Sequence, residues 1–129
     1  MTDQWGRILE VRSRADIEVI DLAEDEIALY AELQTAEFQK ASGLAVRLGQ
    51  GEAAVIAIAE IRGWGAVMDD AAGRRVLSER APNSEVVTTR QVIRLAVTEL
   101  QLLDSSEAQI LYDSIRAEGY WGPSSLWQD

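Results

Sequence analysis

Hydrophobic and polar positions change period several times along the chain, and each change marks an element. From Ile17 to Ile20 (IEVI) apolar and acidic residues alternate, the pattern of a short strand with one solvated face. Glu24-Asp25-Glu26 then opens a helix, because acidic side chains in a first turn oppose the positive end of the helix dipole. Ile27, Tyr30, Ala31 and Leu29, Leu33, Ala36 recur at helical spacing as far as Gly43 and predict core packing. The stretch from Leu48 to Arg75 is the organising centre. Its glycine-rich turn, Gly49-Gln50-Gly51, delivers Glu52 to the start of a helix spanning Ala53 to Ile61. That helix is apolar on nearly every side, which predicts burial. Gly63 and Gly65 break it, and a short apolar strand, Ala66-Val67-Met68, stops at Asp69-Asp70.

Downstream, Asp70 is placed to cap a helix running through Arg80, with Ala72, Val76 and Leu77 facing inward. Pro82 and Asn83 form a turn before a strand at Glu85 to Val87. Thr88 and Thr89 are N-cap candidates for a helix that buries Val92, Ile93, Ala96, Val97 and Leu100. Ser106-Glu107-Ala108-Gln109 matches a capping box for a last helix ending at Gly119. Residues 1–16 show no clean period and predict an irregular or short helical segment; the aromatic tail 120–129 predicts a segment folded back over the body. Strands alternating with helices predict an α/β fold, a parallel sheet flanked by helices in three layers. A length of 129 residues holds one such domain, 1–129.

Composition narrows the chemistry. The chain has 22 acidic against 12 basic residues, a formal net charge of −10, which repels nucleic acid unless bound cations bridge the phosphates. With no cysteine and no histidine, disulfides, thiolate metal sites and the usual general base are all excluded. Catalysis is left to carboxylates, hydroxyls, Lys/Arg or metal-bound water. No basic-then-apolar leader and no run near ~18 apolar residues occurs, so the expectation is a cytoplasmic protein without a membrane partner.

Functional groups in α/β folds gather where helices begin and parallel strands end, and Glu52, Asp69 and Asp70 occupy those places. Three such acids suit a hard cation, Mg²⁺ or Mn²⁺, able to activate water for attack on a phosphodiester. The same residues also read as helix caps. A third reading takes Gly49-Gln50-Gly51-Glu52-Ala53-Ala54 as G-x-G-x-x-A with Asp69 as the ribose-binding acid, a dinucleotide fingerprint. Arg74, Arg75, Arg80, Arg90 and Arg94 can hold phosphates or pair with neighbouring acids. Tyr120, Trp121 and Trp127 can stack on bases or pack against the body.

LGQGEAAVIAIA, GWGAVMDDAAGR and EVVTTRQVIRLAV together resemble the C-terminal two-thirds of a PIN-like domain, in a branch of uncharacterised bacterial proteins related to toxin ribonucleases. The likeness covers roughly Ile17 to Tyr120. It implies a parallel sheet flanked by helices and a ribonuclease dependent on Mg²⁺ or Mn²⁺, with RNA as substrate and an antitoxin as a partner. By position Glu52 matches the family's third acid and Asp69 or Asp70 its fourth, so all three are implied as catalytic and metal-holding residues. The family's first strand, ending in Asp, and its second acid have no counterpart before Ile17; Glu10 sits in no recognisable version of the motif. The resemblance thus implies an N-terminally truncated domain: inactive alone, completed by a separate N-terminal polypeptide, or completed by self-association. The rival expectation is a non-catalytic interaction module that uses an exposed sheet edge and the aromatic tail.

Overall fold

Three of the helix starts foreseen from capping residues organise the fold. The computed structural model describes residues 17–128, so the expectations for segment 1–16, the absent first strand and second acid included, lie outside the described residues. In chain order the elements are α1 (Glu24–Leu33), α2 (Ala36–Ala41), α3 (Gln50–Arg62), β1 (Ala66–Val67), α4 (Ala71–Arg80), β2 (Val86–Val87), α5 (Thr89–Thr98) and α6 (Ser105–Ala117). Asp70 caps α4 by accepting from the Gly73 N–H at 2.8 Å. Thr88 caps α5 in a reciprocal box with Gln91. For α6 the cap is Asp104, paired with Glu107, rather than Ser106. The single helix foreseen upstream of Gly43 is two, because the Thr35 side chain accepts from Phe38 N–H and starts α2 afresh.

The three-layer parallel sheet is not what forms. Helices take up 55% of the described residues, and the sheet has two strands of two residues each, parallel, with Ala66 opposite Val86 and Val67 opposite Val87. The reason is local. β1 is pinched between the left-handed Gly63 that ends α3 (φ 72°) and the Asp70 cap of α4. β2 lies between the Ala81–Ser84 turn and the Thr88 cap. Each apolar run is too short to continue once the caps on either side have claimed their backbone. Ile17 to Ile20, read as a strand, has no regular structure and pairs with no strand among the described residues.

Two cores result. The larger joins Leu33, Leu44, Leu48, Ile56, Met68, Val76 and Leu77 among other buried residues, and packs α1, α3 and α4 over one face of the strand pair. The smaller joins Ile93, Ala108, Tyr112 and Leu126 between α5, α6 and the tail. The helix expected to be buried all round is one-sided: Ala53, Ile56, Ala57 and Ala59 are buried, while Ile61 is exposed. In α5 only Ile93 is buried, and Val92 and Leu100 of the predicted inner face lie outward. The tail folds back through Leu126, which is buried, but Trp121 is left 95% exposed.

A buried ion pair fixes the far end of the larger core. Glu26, 1% exposed, accepts from Arg62 Nε at 2.6 Å and Nη2 at 2.8 Å, and from the Ala23 N–H at 2.7 Å. The Arg62 contact, helped by the Ala23 N–H, lowers the Glu26 pKa to about 2.

Candidate functional site

Glu52 is the third residue of α3, Asp69 follows the end of β1 by two positions, and Asp70 caps α4. The turn before α3, the close of the strand and the start of α4 therefore converge. All three acids line one shallow hollow of about 280 Å³, floored by Val55, Val67 and Met68. Gly73 makes this approach possible: a Cβ there would stand 2.6 Å from Met68 Sδ, 3.3 Å from Asp70 Oδ2 and 3.4 Å from Glu52 Cγ.

The carboxylates are spent differently. Glu52 turns back along its own helix, so that a Cβ on Gly49 would meet its Oε2; no hydrogen bond or ion pair engages it among the described residues. There it opposes the positive end of the α3 dipole. Asp70 gives one oxygen to the Gly73 N–H. Asp69 is held by another part of the chain, with Oδ1 accepting from the Thr89 N–H at 2.9 Å and from Tyr120 Oη at 3.0 Å, and Oδ2 from Thr89 Oγ1 at 2.6 Å. Burial opposes the ionisation of Asp69, but the hydrogen bonds from Thr89 and Tyr120, with Arg74 nearby, outweigh it and leave the carboxyl below its ordinary value. Burial, then the hydrogen bond to Asp69 and its charge, push the Tyr120 hydroxyl up.

A Mg²⁺ or Mn²⁺ ion needs several oxygens aimed at one point. Among the described residues Glu52 has no hydrogen-bond partner, Asp70 gives one oxygen to the α4 cap, and Asp69 accepts three hydrogen bonds from residues 89 and 120. Among the described residues no group of three or more acids is placed to hold a metal ion, so the donor set as arranged does not fit the cation. Asp69 works as a clasp instead. It ties the end of β1 to the first residue of α5 and to Tyr120, three positions past the end of α6, and so joins the two cores.

The other expectations divide in the same way. The segment 44–48 that leads into Gly49 has no regular structure, so the dinucleotide fingerprint lacks the strand that gives it meaning. Arg80 pairs with Glu60 at 2.7 Å and Arg75 with Glu79 at 3.4 Å, as surface arginines usually do. Arg94 donates to the Leu126 and Gln128 carbonyls and stacks over Trp127, holding the tail.

Sequence reasoning missed the outer face of the strand pair. Side chains alternate along a strand. Ala66 and Val86 pack on the larger core, so Val67 and Val87 point the other way. With Leu95 of α5 they line two adjoining shallow hollows of about 310 and 290 Å³, rimmed by Glu85, Gln91 and Arg94. Val67 is 52% and Leu95 37% exposed. The signal was present in Leu95, an apolar residue off the stripe of its own helix. Among the described residues no helix is long and apolar enough to cross a membrane. No protein-family model, no curated protein and no solved structure matches the chain.

Proposed function

We propose that this protein is a non-catalytic interaction module, and that the outer face of its strand pair receives a basic, amphipathic segment of a partner protein. The observation that carries the reading is the orientation of Val67 and Val87, which with Leu95 form an apolar floor uncovered by any described element. Exposed apolar surface of this kind marks interaction sites. Charge selects the occupant. At a net charge of −10 two copies repel each other, whereas a cationic segment is drawn in by the same field. A helix or strand with apolar residues on one side and Lys or Arg on the other satisfies both the floor and the field. The carboxylates at the ends of α3 and β1 then hold the scaffold rather than carry chemistry.

The test is fluorescence anisotropy of a labelled helical peptide with Leu at i, i+3, i+4 and i+7 and Lys elsewhere, beside a version with Glu for Lys. The lysine peptide is expected to bind and the glutamate peptide not to. Val67→Asp and Leu95→Asp separate docking from simple charge attraction. Each adds negative charge, so unspecific binding of the cation rises, while docking on the floor is lost. Equal binding by both peptides, or tighter binding to the Asp variants, overturns the reading. Sedimentation showing a dimer that Leu95→Asp dissolves assigns the face to a second copy instead.

A further inference from the structure

On the other side of Asp69 lies an open cleft of about 570 Å³, between the start of α5 and the Gly119–Pro123 loop that follows α6. Its volume is that of a small-molecule site. Arg74, Arg90, Asp69, Asp70, Tyr120 and Trp121 are among the residues that line it. Arg90 donates from Nε to the Leu126 carbonyl at 3.2 Å, but its buried Nη2 has no hydrogen-bond partner, the one such side-chain atom among the described residues. A buried charged donor left without an acceptor is costly, and its presence asks for one. Arg74 gives Nη1 to the Asp69 carbonyl, and among the described residues neither arginine is paired with a carboxylate.

The acids of the cleft are already engaged, Asp69 by Thr89 and Tyr120 and Asp70 by the α4 cap. Spare donors therefore outnumber spare acceptors, which favours an anion. Two nearby carboxylates oppose a doubly charged one, so a single, planar negative group that can take a guanidinium side-on is preferred. At the mouth stands Trp121, 95% exposed, a flat apolar surface with no described contact to cover it. We infer that this cleft binds a small aromatic carboxylate, with the carboxylate held by Arg90 and Arg74 and the ring stacked on Trp121.

Isothermal titration of the intact chain with benzoate, phenylalanine, phenyl phosphate and acetate tests this. Saturable binding is expected for benzoate or phenylalanine, with acetate and phenyl phosphate each weaker. Arg90→Gln is expected to weaken binding by about tenfold or more, as loss of a hydrogen bond to a charged group does, while Arg90→Lys keeps part of the affinity. Trp121→Ala removes a solvent-facing side chain and is expected to weaken the aromatic ligands without touching the fold. Should Arg90→Gln change the circular dichroism, Trp121→Ala decides. The inference is overturned if neither benzoate nor phenylalanine saturates, if phenyl phosphate binds tightest, or if Trp121→Ala leaves the affinity unchanged.

Discussion

Asp69 and Glu26 are both acids whose surroundings favour the charged form. Asp69 closes a joint between two cores through Thr89 and Tyr120. Asp69→Ala removes an acceptor from three solvent-exposed hydrogen bonds whose donors water can satisfy in its place, so a loss of about 0.5–1.5 kcal/mol is expected. The loss is expected to appear as faster amide exchange at Thr89 and around Tyr120, with α1 and α3 unaffected. Glu26 makes a pH-dependent contribution whose sign is set by its depressed pKa. The group is easier to ionise folded than unfolded, so its stabilisation is fully present above the ordinary 4.5 and is lost as the pH falls to about 2. Melting temperatures recorded from pH 6 to pH 2 are expected to fall in that window, and Glu26→Gln is expected to flatten the fall. A fall of equal steepness in the variant would place the acid sensitivity elsewhere. At this scale the sequence was partly readable: Glu26 was seen as a first-turn acid, but Arg62, its partner 36 positions on, lay beyond any local pattern.

Helix starts were legible because a cap is a local bargain between one side chain and an amide three residues on. Asp70 and Thr88 do what their positions promised. The strands were less so, since their length depends on how much backbone the flanking caps leave free. What was read as part of a three-layer parallel sheet is a pair of strands of two residues each. The packing of α3 on α4 passes through Gly73, which no periodicity singles out. Gly73→Ala is expected to destabilise by about 1 kcal/mol, the roughly 1–3 kcal/mol cost of crowding Met68 exceeding the gain of about 1 kcal/mol in helix propensity. Ile56→Ala, at a fully buried position of α3, is expected to cost about 2–5 kcal/mol. Chemical denaturation of the two variants gives both values, and a stabilised Gly73→Ala would show that the helices have room to part.

For the molecule as a whole, the convergence of Glu52, Asp69 and Asp70 on one hollow was legible from their places at a helix start and a strand end. The direction of each carboxylate was not, because the donors that claim Asp69 come from residues 89 and 120. Likeness to PIN-like domains rests on sequence motifs alone, and binding at an uncovered face is the function we propose. The uncovered side of the strand pair is where that binding is assigned. Its most direct test is methyl NMR of Val- and Leu-labelled protein during titration with the lysine-bearing amphipathic peptide. Saturable shifts confined to Val67, Val87 and Leu95 are the expected result. Shifts spread evenly over the acidic surface, with those three methyl groups unmoved, would contradict it.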